Sequence, residues 1–151
     1  MVSRFSGILL VVLFSVPALA GNTIHFADGK DVQELKIQEK LKNPPAEWKA
    51  PLVMENLGRT DMVSSHLVWI KTHENLHYHA THEGTVVLLK GHGHFRIGDQ
   101  NIALKPGDVV TIPRGVVHAF TNESKGPAAA YVIFAPPFDG KDVVEVGEQV
   151  Q

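Results

Sequence analysis

The sequence predicts an all-β domain, a sandwich or a closed barrel, on three observations. From Met62 onward apolar residues recur with a period of two, in short runs rich in valine, isoleucine and aromatic side chains. Glycine and proline turns punctuate those runs about every eight to twelve residues. Long helical patterns do not alternate with the strands, which disfavours a parallel α/β sheet.

Taken in order, residues 1–20 read as a segment removed before folding. Met1 to Arg4 carries a positive charge, Ile8 to Phe14 is wholly apolar, and Ala18-Leu19-Ala20 sets small residues ahead of Gly21. That is the three-part plan of a secretory signal peptide, and Ser15 and Pro17 interrupt a stretch already short for a membrane span. Cleavage between Ala20 and Gly21, no membrane span afterwards, and a periplasmic or extracellular mature chain are the expectations.

Residues 21–57 read as an N-terminal extension with a short helix. Gly21 to Gly29 has little pattern and suits a flexible or edge segment. Asp31 to Lys42 is rich in helix formers, with Asp31 placed to cap and Glu34 three residues on, as in a capping box. Asn43-Pro44-Pro45 stops that helix. Val53 to Leu57 reads as a short strand and Gly58 to Asp61 as its turn.

Residues 58–151 read as the main domain. Strands are expected at Ser65 to Lys71, Thr85 to Leu89, Gly91 to Ile97, Ile102 to Leu104, Val109 to Ile112, Val116 to Phe120 and Ala129 to Phe134. Gly98-Asp99, Pro106-Gly107-Asp108 and Pro113-Arg114-Gly115 turn the chain between them, and Pro136-Pro137 ends the series.

Composition narrows the chemistry. The chain has 16 acidic and 14 basic side chains, a formal net charge of −2, and its lysines and arginines are scattered among carboxylates. No basic face points to nucleic acid. There is no cysteine, which excludes disulfides, thiolate metal sites and a cysteine nucleophile. Any metal must be held by nitrogen and oxygen.

The chemistry-bearing stretch is His77-Tyr78-His79-Ala80-Thr81-His82-Glu83. On an extended strand His77 and His79 face one way and Tyr78 the other. A turn near Ala80 can return His82 or Glu83 toward that side, and His118 stands on a distant strand after a Pro-x-Gly turn. Imidazoles from two strands suit a divalent first-row metal with positions left open for water or substrate. His92 and His94 have the opposite parity to Phe95 and Ile97 and read as a solvated pair; His66 shares a face with Val68 and Ile70. Phe120 shares the face of His118, and Val87 and Leu89 that of Glu83. Tyr78, Tyr131, Arg96 and Arg114 are polar groups available to such a site, and the sequence puts none of them in the pocket. Asn122 and Ser124 also form a glycosylation sequon.

Gly107, Pro113, Gly115, His118 and Asn122 match the second conserved motif of the cupin superfamily at every fixed position. His77, His79 and Glu83 resemble the opening of the first. Glu83 is followed by seven residues before Gly91, where the motif has six, and Lys71 stands where the motif has an upstream glycine. A one-residue bulge would let Glu83 fill the fourth ligand position; otherwise the site is three histidines and water, aided by His82. The resemblance covers roughly residues 65 to 134 and implies a six- to eight-stranded jelly-roll barrel holding one metal, Fe, Mn, Ni, Cu or Zn, on His77, His79, Glu83 and His118. It also implies a homodimer.

Two functions follow from that resemblance. One is an enzyme acting on a small molecule through dioxygenase-like or related metal-dependent chemistry, such as isomerase, decarboxylase or lyase reactions, with Glu83 as general base if it is not a ligand. The other is a non-catalytic protein that binds a metal or small ligand.

Overall fold

A computed structural model describes residues 23–27, 31–46 and 48–147. The expected signal segment and its cleavage point lie outside them. Thr23–Ala27 (β1) pairs antiparallel with Val32–Lys36 (β2), and the helix α1 occupies only Ile37–Lys42. The capping box expected at Asp31 and Glu34 does not form. The helix begins after Lys36 with no side-chain cap, and Glu34 faces its cross-strand partner His25, Oε1 to Nδ1 3.5 Å. Pairing with β1 gives residues 32–36 backbone partners that a lone helical turn would lack, and this overrides their local helix preference.

Ten strands follow: Leu52–Arg59 (β3), Ser64–Ile70 (β4), His77–His79 (β5), Glu83–Lys90 (β6), Gly93–Ile97 (β7), Gln100–Leu104 (β8), Val109–Ile112 (β9), His118–Asn122 (β10), Ala128–Ala135 (β11) and Val143–Glu145 (β12). They form two five-stranded antiparallel sheets, ordered β3-β4-β11-β6-β9 and β12-β5-β10-β7-β8. This is the all-β jelly roll that the resemblance implies. β3 runs through the expected boundary at residues 57 and 58, so the sheet begins inside the N-terminal extension. β12, in the tail, has no counterpart among the expected strands.

Two apolar layers result. Between the sheets, Val68, Ile70, Leu88, Phe95, Phe120 and Phe134 belong to one buried cluster. On the outer face of β4, Leu67 and Trp69 pack with Ile37 and Leu41 of α1. All seven residues of β4 are therefore buried, one face by the barrel and the other by the extension. Polar contacts fix that outer layer. Trp69 Nε1–H donates to Glu55 Oε1 at 2.9 Å, and Glu55 Oε2 pairs with Lys40 Nζ of the helix at 2.6 Å. Lys90 Nζ donates to the Leu41 carbonyl at 2.7 Å, satisfying one acceptor at the helix end.

One glycine sets the closeness of β7 to β10. A Cβ at Gly93 would stand 2.0 Å from the Thr121 carbonyl oxygen, so no other residue fits that register. Among the described residues no helix is long and apolar enough to cross a membrane.

Because α1 covers β4, its apolar contacts should be worth as much as core ones. Ile37→Ala is expected to lower stability by about 2–5 kcal/mol in urea unfolding. Val32→Ala, at a residue 62% exposed, is expected to shift it by no more than about 0.5 kcal/mol. Equal effects would show that the extension is not a structural layer.

Candidate metal centre

β5 is three residues long, and alternation turns His77 and His79 to its inner side. β10 lies beside it with His118 directly opposite His77. The three rings converge, with centroids 4.3 Å apart for His77 and His118, 5.2 Å for His77 and His79, and 5.5 Å for His79 and His118. One ring nitrogen from each lies within 4.8 Å of the other two. The turn specified by Pro113-x-Gly115 contributes directly. Gly115 adopts φ 77°, a conformation that favours glycine, and its N–H donates to the His79 carbonyl at 2.7 Å.

Each Nδ1 of the three rings meets an oxygen. His77 Nδ1 is 2.7 Å from the Asn75 carbonyl, His118 Nδ1 is 2.8 Å from the Val116 carbonyl, and His79 Nδ1 is 3.2 Å from Asp142 Oδ1. Carbonyls and carboxylates only accept, so Nδ1 carries the proton in each ring and donates it. In the neutral imidazole that leaves the Nε2 lone pair free, which is how metal-binding histidines are prepared. Burial is the main reason the His118 imidazole is held down to about 4; the Val116 bond works the other way, and His77 and His79 push it lower. Burial likewise lowers His79, with the Asp142 hydrogen bond opposing. Near neutral pH both rings are therefore uncharged and available to a cation.

Asp142 is the residue that sequence reasoning missed. It precedes β12, which pairs with β5 and places Val143 opposite His79. Its Oδ2 accepts from the backbone N–H groups of Thr81 and His82 and from the Thr81 hydroxyl, each at 3.1 Å, and lies 2.5 Å from His82 Nδ1. Burial alone would raise this carboxyl, but hydrogen bonds from His82, Thr81 and His79 outweigh it and hold the group well below the usual carboxylate range. The tail reaches this position through Phe138, whose ring stacks on Phe134 at 4.7 Å and meets His79 edge-on at 5.4 Å. Ser64 and Arg59 bind the Phe138 backbone N–H and carbonyl, both at 2.9 Å.

The fourth expected ligand is elsewhere. Glu83 is exposed and stands opposite Ala135 at the start of β6, outside the imidazole cluster. Strand parity explains this: Gly84, Val86 and Leu88 line the interior, so Glu83 turns outward together with Val87 and Leu89, and Leu89 packs with the outer layer. A register irregularity does occur, between Leu88 and Lys90 opposite Ala129 and Ala130, but it lies beyond the site and does not rotate Glu83 inward. His82 is buried, yet its Nδ1 faces Asp142 and its Nε2 faces the Pro137 carbonyl at 3.2 Å, so it supports the tail instead of joining the three rings.

The rings open onto a cavity of about 510 Å³ whose wall is mainly aliphatic and aromatic. Phe120 lines it beside His118, as its parity predicts. Two carboxylates reach the wall: Glu145, exposed and bound to Asn75 Nδ2 at 3.0 Å, and Glu74, which is only partly exposed. Tyr78, Tyr131, Arg96 and Arg114 are not on the wall. His92 and His94 are exposed, and His94 pairs with Glu123 at 2.7 Å. His66 is buried beside Phe134 and Phe138. Asn122 uses its side-chain amide to donate to the Ile70, Lys71 and Gly126 carbonyls, tying the end of β10 to β4.

Residues 68–134 match the cupin domain family. An uncharacterized protein of Aquifex aeolicus (strain VF5) is 43% identical over 114 residues, which span 76% of this chain and 93% of that one. Among solved structures, KdgF from Halomonas sp. is similar with a TM-score of 0.58 at 15% identity, over 66% of this chain and 91% of its own. A cupin-2 domain protein from Rhodospirillum rubrum is similar with a TM-score of 0.57 at 23% identity, over 69% and 73%. At these identities the structural likeness is one of fold.

Two outcomes follow from the geometry. In the metal-free protein, unfolded His118 takes up a proton near its ordinary value of about 6.5, whereas folded His118 does so only near 4. Its contribution to stability is complete above about pH 6.5, is lost as pH falls toward 4, and changes no further below that. Unfolding free energies from urea titrations between pH 7 and pH 4 should decline by at most about 3 kcal/mol from this residue, and His118→Gln should flatten the decline. Second, Asp142→Asn exchanges an obligate acceptor for an amide that can present a donor to His79. Divalent metal affinity, read by calorimetry, is expected to fall about 10–100-fold, and an unchanged affinity would remove Asp142 from the centre.

Proposed function

Because the chain belongs to the cupin superfamily, we propose that it is a secreted single-domain cupin that holds one divalent transition metal and acts as an enzyme on a small molecule. One observation carries this reading: three imidazoles, each with Nδ1 spent on an acceptor and so Nε2 free, converge at the wall of an apolar cavity. The donor set fits a divalent first-row metal, whether Fe, Mn, Ni, Cu or Zn, because all-imidazole sites suit ions of intermediate softness. His77, His79 and His118 would hold the ion. Three protein ligands leave coordination positions for substrate, and the bound ion would supply Lewis-acid polarisation or a redox centre.

The cavity suggests the ligand's shape. Its volume suits a small molecule, and its wall offers side chains such as Val68, Leu88, Leu104 and Phe95. A molecule with a chelating oxygen end and an apolar body matches both halves of the pocket. The residues themselves bind and orient: the imidazoles fix one end, the apolar wall excludes water, and Phe120 and Phe134 shape the interior. Secretion through cleavage after Ala20 and assembly as a homodimer belong to the same proposal.

Native mass spectrometry of the protein purified from its own compartment tests the secretion, assembly and metal parts together. The expected species begins at Gly21, contains two chains and carries one metal per chain. His77→Ala and His118→Ala should each lose most of the metal, whereas Glu83→Gln should retain it, since Glu83 lies outside the three rings. Metal that survives both histidine substitutions would sink the centre, and loss in Glu83→Gln would return the carboxylate to the ligand set.

A further inference from the structure

We infer that Glu74 is a proton-transferring residue of this cavity and that its ligand is an enolisable 2-oxo acid with an apolar body. The inference rests on reading the three imidazoles as a metal centre. Glu74 lies between β4 and β5, on the cavity wall shared with His77, His79 and His118. Its position is fixed by Phe120 at two points. The Glu74 N–H donates to the Phe120 carbonyl at 2.9 Å, and the Phe120 N–H donates to Glu74 Oε2 at 3.0 Å.

That arrangement occupies one carboxyl oxygen and spares the other. Among the described residues, Oε1 has no hydrogen-bond partner, although the side chain is held in place. Glu145, the other carboxylate on the wall, is exposed and engaged with Asn75. Each of the two keeps one oxygen without a partner, but Glu145 is exposed whereas Glu74 is partly buried and tied to β10 at two points. Burial raises its carboxyl above the ordinary range, with His77 and the Phe120 bond opposing, which suits a group that both takes and returns protons.

Charge and polarity define the ligand class. Three neutral imidazoles contribute no charge, so a divalent ion leaves two positive charges in a low-dielectric cavity. One Glu74 carboxylate and one monoanionic ligand balance them. A 2-oxo acid supplies the single negative charge and two adjacent oxygens suited to chelation, and an aromatic or branched chain meets the apolar wall. The carbon next to its keto group bears the acidic hydrogen that a carboxylate can accept.

The step balances without a co-reactant. Glu74 Oε1 takes the proton from that carbon; the C–H bond breaks, an O–H bond forms on Glu74, and the electron pair becomes the carbon–carbon double bond of the enolate. The carbonyl π pair moves to the keto oxygen; return of the proton to the carbon restores the keto form, and its delivery to that oxygen gives the enol. The net chemistry is tautomerisation or isomerisation, with no oxidant consumed.

Phenylpyruvate is the probe. Zinc-loaded full-length protein in D₂O is compared with its Glu74→Gln variant, following deuterium entry at the benzylic carbon by proton NMR. Phenylpyruvate affinity and thermal stability are measured alongside, by calorimetry. Glutamine keeps an acceptor for the Phe120 N–H but cannot carry the proton. Exchange is expected to slow at least ~100-fold in the variant, with zinc content and stability unchanged and phenylpyruvate still bound. Equal exchange in both proteins overturns the inference, as does wild type that holds zinc but not phenylpyruvate. Lowered stability in Glu74→Gln and Glu74→Asp together, with no rate recovered in the aspartate, would assign Glu74 to holding Phe120 and overturn it too. Wild type that retains no zinc instead overturns the metal reading beneath it.

Discussion

An imidazole keeps a fixed tautomer only if its N–H finds an acceptor, and one end of this barrel supplies acceptors for three. Two acceptors come from the chain itself. His77 and His118 each reach back two residues to a carbonyl, at Asn75 and Val116, so the local backbone just before each ring orients it. His79, at the end of β5, makes no such bond to a carbonyl two residues back. Its acceptor is Asp142, delivered from the far end of the chain. The same carboxylate gathers Thr81 and His82, so one side chain shapes both a ligand and the turn that follows it.

This arrangement explains the weight of the tail. Phe138 packs against His79 and Phe134, and Arg59 and Ser64 grip its backbone. These contacts originate in β3 and β4, which are themselves roofed by α1 and the β1–β2 hairpin. The N-terminal extension and the candidate metal centre are therefore connected through packing, and Ala50 and Pro51, just before β3, line the cavity itself.

What the sequence made legible was what it encodes locally. His-x-His on a strand, the turn glycines and the strand positions from β4 to β11 need only neighbours in the chain, and the structure keeps them. His118 was legible because a turn motif surrounds it. Asp142 was not, because its relation to His79 spans 63 residues and its own neighbourhood reads as an ordinary tail. Glu74 was hidden in an unpatterned loop; its role appears only when β10 lies alongside. Glu83 failed for a simpler reason. Parity depends on which face of β6 is interior, and the alternation of Thr85 to Leu89 is apolar on both faces, so the pattern could not choose. At residues 32–36 helix-forming side chains lost to a strand partner in residues 23–27.

The stretch that matches the cupin domain runs from residue 68 to residue 134. It opens in the middle of β4 and closes before Phe138 and Asp142. Carried alone into another protein, it would bring three imidazoles, but one of them without the acceptor that chooses its tautomer, and a bisected β4 without its roof. The unit by which this centre can be inherited is thus larger than the unit by which its family is recognised. Its extra parts lie at both ends of the chain, where lineages most readily gain and lose residues.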